Sequence, residues 1–168
     1  MRIYLVGYMY SGKTTIGHKL AQGLDYEWLD LDQAFECFFH TTIPIFFGRY
    51  GEEAFRKLEQ KLLHSTADKD NIVISTGGGT PCHFDNMQWI NDHGTSVYFD
   101  VAVETLLRRA QSSKKPRPVL AGLSPLEREA FVRQQLASRM PYYTKAHITF
   151  PADKPDISQL IQLLNANS

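Results

Sequence analysis

The chain has 168 residues, 43% of them apolar and 21% charged, which predicts one globular domain around one core. Its 18 basic and 18 acidic residues give zero formal net charge. That balance leaves no electrostatic footprint for nucleic acid or an anionic membrane surface, so any anion site has to be built locally, for a small-molecule substrate.

The first apolar run, Arg2–Val6, reads as a buried strand. It feeds Gly7-Tyr8-Met9-Tyr10-Ser11-Gly12-Lys13-Thr14, a match to G-x-x-x-x-G-K-[ST]. A helix over Gly12–Leu24 follows, loosened near its end by Gly23. Strand, glycine loop and helix are the context in which this motif holds a polyphosphate. Glycines let the backbone wrap the anion, and the amides and dipole of the helix start point at it. Lys13 then reaches the β- and γ-phosphates, and the Thr14 hydroxyl ligates Mg²⁺.

A second strand, Glu27–Asp30, closes on Asp30-Leu31-Asp32. Ligands of open α/β sheets bind beyond the carboxyl ends of the strands, on the rim that carries the phosphate loop. Read as extended chain, the spacing of two turns both carboxylates to the same side. The alternatives are solvated turn aspartates, or Asp32 as the N-cap of the next helix.

Residues 33–67 are helical by pattern, broken near Thr41–Pro44 and Gly48–Gly51. The stretch is too long for a single crossover and reads as a helical insertion that covers a substrate. It is rich in phenylalanine, mostly core. Within it Arg56 and Glu59 are three apart and share a helix face. They are either a surface ion pair or an arginine oriented by Glu59 for a substrate carboxylate.

Strand Ile72–Ser75 runs into Gly77-Gly78-Gly79. Three consecutive glycines cost backbone entropy and fit a place where a ligand meets the main chain or where amides form an anion nest. A helix over Phe84–His93 ends at Gly94, read as a C′ glycine, before strand Ser96–Asp100 and helix Val103–Gln111. Residues 112–124 are polar and basic, broken by Pro116, Pro118 and Gly122. This is the profile of a lid, and Arg117 between its two prolines is the best transition-state cation, against the alternative of an exposed linker. Ser124-Pro125-Leu126-Glu127 is a capping box that opens a helix carrying Arg139, which Pro141 should end or kink. Strand His147–Phe150 and helix Asp156–Leu164 complete the chain, with Pro155 between them where an adenine-binding loop belongs.

Taken in this order, the phosphate loop, Asp30-Leu31-Asp32, Phe55-Arg56-Lys57-Leu58-Glu59, the glycine triplet, Arg117-Pro118-Val119-Leu120 and Arg139 before Tyr142-Tyr143 resemble shikimate kinase across essentially the whole chain. The resemblance implies a three-layer α/β/α P-loop kinase of the nucleoside-monophosphate-kinase-like group. Its parallel sheet has five strands in the order 2-3-1-4-5, with a substrate-binding insertion over residues 33–67 and a lid over residues 112–124. It implies ATP- and Mg²⁺-dependent phosphorylation of the 3-hydroxyl of shikimate on the chorismate route to aromatic amino acids. Carried over by position, Tyr10, Ser11, Gly12, Lys13, Thr14 and Thr15 hold the nucleotide phosphates. Thr14 and Asp30 serve the metal. Asp32, Arg56, Gly77, Gly78, Gly79 and Arg139 hold shikimate, the arginines through its carboxylate. Arg117 is the lid arginine, and Asp32, Lys13 and Arg117 form the catalytic set. Arg109 and Pro155 frame the adenine, with Arg108 as the alternative to Arg109. The family carries small residues at the positions of Tyr10 and Ser11; this chain has a tyrosine. Two other readings are a gluconate-kinase-like enzyme of the same fold and a nucleotide-binding module without turnover.

Cys37 and Cys82 form neither a metal-ligand spacing nor a disulfide framework, which fits a reduced, cytoplasmic setting. The chain opens directly on strand sequence rather than a signal peptide, and no apolar run reaches the ~18 residues of a membrane span. A monomer is expected, with ATP and a small acid as its partners.

Overall fold

The computed structural model describes residues 1–113 and 118–167. Five strands, β1 (Arg2–Val6), β2 (Glu27–Asp30), β3 (Ile72–Ser75), β4 (Thr95–Asp100) and β5 (Ile148–Pro151), form one parallel sheet ordered β2-β3-β1-β4-β5. Its helices are α1 (Lys13–Leu24), α2 (Leu31–Phe39), α3 (Ile43–His64), α4 (Asn86–His93), α5 (Val103–Ser112), α6 (Pro125–Tyr143) and α7 (Ile157–Ala166).

β1 and β3 are near-continuous apolar runs because both faces of a parallel sheet are covered. Ile3, Leu5, Val6, Ile72, Val73 and Ile74 are buried. The register aligns Leu5 and Asp30 with Ser75, so β1, β2 and β3 end on one rim. Polar bonds lock that rim. Ser75 Oγ donates to Lys13 O at 3.0 Å, and Thr76 Oγ1 donates to Leu5 O at 2.9 Å. The loops after β1 and β3 are thereby fixed side by side.

A second, smaller core lies in the insertion. Phe35 packs its ring 4.9 Å from Phe55 and 5.1 Å from Phe46, centroid to centroid. Such pairs are worth about 0.5–1.5 kcal/mol each beyond their burial. This cluster holds α2 against α3, and so sets where Asp32 and Arg56 stand. Phe38 and Tyr50 are exposed.

Several local expectations change. β2 stops at Asp30, whose side chain caps α2 by accepting from Gln33 N at 3.1 Å. Leu31 is already helical, so Asp30 and Asp32 are not alternate residues of a strand, and the capping aspartate is Asp30 rather than Asp32. Gly94 is not a left-handed terminator: its φ of 179° is extended chain. It is glycine because a β-carbon would stand 2.6 Å from Arg2 O and 2.8 Å from the Tyr4 ring. Pro141 does not end the helix: α6 runs through it to Tyr143. The helix expected from Phe84 begins at Asn86, because Phe84 has a φ of 50°. α3 is interrupted at Gly51, with a φ of 81°, inside the predicted break. The capping box at Ser124 and Glu127 is present. Of the lid expected over residues 112–124, residues 114–117, and with them Arg117, lie outside the described residues. Among the described residues no helix is long and apolar enough to cross a membrane.

Candidate functional site

β1 delivers the chain into a tight loop. Gly7 and Gly12 take φ values of 145° and 98°, and Tyr10 takes 63°. Left-handed backbone costs an aromatic residue about 1 kcal/mol, so something has to hold it there. Arg109, one turn from the end of α5, does so. Its Nη1 donates to Tyr10 O and Ser11 O, both at 3.1 Å. Its Nη2 donates to Ala152 O at 2.8 Å and Asp153 O at 3.1 Å, just past β5. Arg109 therefore joins the phosphate loop to the segment leading to Pro155, which settles which of the two neighbouring arginines lies here. Burial holds its pKa below the ordinary arginine value.

Lys13 is buried within the loop. Its Nζ donates to Gly7 O and Tyr8 O at 2.8 Å each, and to Ser11 Oγ at 3.3 Å. Thr14 Oγ1 donates to Asp30 Oδ2 at 2.7 Å, so the first turn of α1 and the end of β2 meet through two oxygen-bearing side chains. Thr14 and Thr15 are exposed. Oxygen donors of this kind, beside a phosphate loop, suit Mg²⁺, which takes one or two protein ligands and completes its shell with phosphate and water. Among the described residues there is no cluster of three or more acidic, histidine or cysteine side chains that would hold a metal without that help.

The glycine triplet faces this loop. None of the three glycines has positive φ, so glycine is not required there by backbone conformation. The reason is space. A β-carbon on Gly77 would stand 2.8 Å from Asp32 Oδ1 and 3.1 Å from Glu59 Oε1. One on Gly78 would stand 3.2 Å from Arg139 Nη1 and 3.3 Å from Met9 N. One on Gly79 would stand 2.5 Å from Arg56 Nη2. Three successive residues thus make a bare platform on which a carboxylate and two guanidinium groups converge from α2, α6 and α3.

Both guanidinium groups are braced from behind. Arg56 Nη1 donates to Glu59 Oε2 at 2.9 Å, and Thr80 Oγ1 donates to Glu59 Oε1 at 2.6 Å. Glu59 is only 3% exposed, so the ion pair is not the surface pair that spacing alone allowed. The guanidinium also lies 5.1 Å over the Phe55 ring and 6.0 Å over Phe47. Arg139 lies 5.5 Å over the Tyr8 ring, and its charge also acts on Tyr143, whose hydroxyl donates to Gly78 O at 2.6 Å. Burial raises the pKa of Tyr143 and pushes Tyr8 to about 12, so both phenols stay neutral donors. Tyr8, Thr80 and Tyr143 were missed by sequence reading. The available signals were the position of Tyr8 inside the loop motif and the Tyr142-Tyr143 pair after Arg139.

Two guanidinium groups, one of them paired with Glu59, beside the Asp32 carboxylate and a stretch of open backbone suit an anionic, hydroxylated small molecule. The phosphate loop opposite suits a nucleotide. The shikimate kinase family model matches residues 9–165. A shikimate kinase of Parabacteroides distasonis is 48% identical over 153 residues, covering 91% of this chain and 88% of the relative. The crystal structure of shikimate kinase from Bacteroides thetaiotaomicron superposes with a TM-score of 0.95 at 41% identity, covering 98% of each chain. Shikimate kinase from Acinetobacter baumannii, solved in complex with shikimate, matches with a TM-score of 0.88 at 34% identity, covering 99% of this chain and 94% of that one.

Proposed function

The chain belongs to the shikimate kinase family, and from that premise we propose that it transfers the γ-phosphoryl group of ATP to the 3-hydroxyl of shikimate, giving shikimate 3-phosphate and ADP. The observation that carries this reading is the glycine platform, where Asp32, Arg139 and Arg56 close on Gly77, Gly78 and Gly79 in turn.

Phosphoryl transfer asks a protein for alignment and charge neutralisation more than for covalent chemistry. Arg56 and Arg139 clamp the carboxylate of shikimate, and Gly77, Gly78 and Gly79 let the ring lie against the backbone. Fixing one end of the acceptor aims its hydroxyl and converts binding energy into alignment. Asp32 accepts the hydrogen bond of the attacking hydroxyl and takes its proton as the bond to phosphorus forms. Lys13 and the loop amides from Tyr10 to Thr15 hold the phosphates, while Arg109 and Pro155 frame the adenine. Thr14 and Asp30 would hold Mg²⁺, which would offset phosphate charge. Arg117, outside the described residues, stays in the proposal as the lid arginine at the γ-phosphate. The segment over residues 33–67 covers the acid, and residues 112–124 form the lid. The working unit is one cytoplasmic chain.

Phosphorus NMR of a reaction with ATP, Mg²⁺ and shikimate tests the assignment. One new phosphomonoester on the 3-oxygen is expected; a product phosphorylated elsewhere, or none, overturns it.

A further inference from the structure

Tyr8 is a residue of the phosphate loop whose main chain and side chain face different halves of the site. It is 2% exposed. Its carbonyl accepts from Lys13 Nζ at 2.8 Å, so its main chain belongs to the cradle of the phosphate-facing lysine. Its side chain turns the other way, onto α6. The phenol donates to Gln135 Oε1 at 2.6 Å, and the ring face lies under the Arg139 guanidinium at 5.5 Å. Gln135 and Arg139 are four apart in α6 and share one face of it, so the hydrogen bond fixes the ring beneath the arginine one turn on. Arg139 is in turn set against Gly78 and the Tyr143 hydroxyl.

We infer that Tyr8 is a positioning residue that holds Arg139 in register with the phosphate loop, and that it thereby couples nucleotide binding to binding of the acceptor acid. A flat ring is the shape this needs, because a guanidinium stacks on an aromatic face and gains from its quadrupole when partly desolvated. A shift of the Gly7-Tyr8 peptide on loading of the phosphate site moves that ring, and with it the arginine that binds the acid. Coupling of this sort is reciprocal: the nucleotide tightens the acid by the factor by which the acid tightens the nucleotide.

This inference rests on the proposed reading of Arg139 as a carboxylate ligand, and the experiment separates the two. Steady-state constants are measured for the wild type, Tyr8→Leu, Tyr8→Phe and Gln135→Leu, with shikimate affinity titrated with and without ADP. Tyr8→Leu removes the ring face, and about a tenfold rise in shikimate KM is expected, with kcat and the affinity for ADP titrated without shikimate within about twofold. Tyr8→Phe keeps the face and loses only the anchor, so its shikimate KM rises about threefold or less, as does that of Gln135→Leu. Their double variant is no worse than either single one. ADP tightens shikimate in the wild type and not in Tyr8→Leu. Equal losses in the binary affinities, for shikimate titrated without ADP and for ADP titrated without shikimate, or a fall in kcat alone, assign Tyr8 a general structural role and overturn the inference. Should Tyr8→Leu not fold, the Tyr8→Phe and Gln135→Leu pair decides by the same criteria. Failure of the wild type itself to use shikimate overturns the proposed function, and the inference with it.

Discussion

Arg56 lies so close over Gly79 that a β-carbon there would come 2.5 Å from its Nη2 and 2.9 Å from its Cζ. The obstacle is the far end of a flexible side chain, so Gly79→Ala displaces the guanidinium and leaves the backbone in place. The expected result is a folded enzyme, melting within a few degrees of the wild type, whose shikimate KM rises about tenfold or more. Gly94→Ala is the converse. Its β-carbon meets Arg2 O and the Tyr4 ring, which have nowhere to go, so it costs about 1–3 kcal/mol of stability. The acid affinity of the molecules that stay folded is unchanged. Thermal melts beside substrate titrations check both halves; a Gly79→Ala enzyme with normal KM would detach Arg56 from the acid.

Arg56→Ala removes an acid ligand and also leaves Glu59 buried without its ion partner. Shikimate binding weakens by about 2–5 kcal/mol, and folding loses several kcal/mol because a buried charge is left uncompensated. Adding Glu59→Gln removes that charge and restores most of the stability without restoring affinity. Denaturant melts of the single and double variants, with titrations of the acid, read the two effects separately. A double variant as unstable as Arg56→Ala removes the ion pair as the cause.

Arg109 donates to four carbonyls, two on the phosphate loop and two beyond β5. Arg109→Met keeps the stem and loses all four bonds, at about 0.5–1.5 kcal/mol each if none is replaced by water. The left-handed Tyr10 then loses its brace. The KM for ATP rises about tenfold or more, the shikimate KM changes far less, and amide exchange quickens across the loop. Equal exchange in both proteins would mean that the loop holds its shape unaided.

Burial pushes the Cys82 thiol from the usual 9.0 to about 11, with Arg139 and Arg56 opposing the shift. An acid with a raised pKa stays protonated longer in the fold than in the unfolded chain. Cys82 is therefore a thiol at pH 8, and stability falls only as pH climbs past about 9. Cys37 is exposed on α2. A disulfide reagent at pH 8 should label Cys37 quickly and Cys82 only on unfolding; peptide mapping reads which is modified. Fast labelling of both would place Cys82 in a wetter setting than its burial indicates.

The strands were legible because each is an apolar run bounded by punctuation. β1, β2 and β3 begin and end where the sequence places them, and β4 and β5 differ by one residue. What was not legible are relations between distant residues. Leu31 opens a helix because Asp30 caps it, and nothing in the Asp-x-Asp spacing distinguishes that from two further strand residues. The glycine triplet was expected where a ligand meets the main chain or where amides form an anion nest. That the approaching groups are the side chains of Asp32, Arg139 and Arg56 follows only from how α2, α3 and α6 pack. Spacing leaves Glu59 either in a surface ion pair or orienting Arg56, and its burial and the bond from Thr80, across a loop, exclude the surface pair. Arg109, rather than Arg108, bonds the carbonyls of Tyr10, Ser11, Ala152 and Asp153, and only the packed structure shows that.

The most direct measurement of the central claim is a coupled ADP-release assay with Mg²⁺ and ATP, run on shikimate, gluconate, AMP and other nucleoside monophosphates, with Asp32→Asn in parallel. The account predicts turnover with shikimate alone, and an Asp32→Asn enzyme that stays folded with kcat lower by a factor of about 10² or more. Turnover of gluconate or AMP with silence on shikimate, or near-normal turnover by Asp32→Asn, would contradict it.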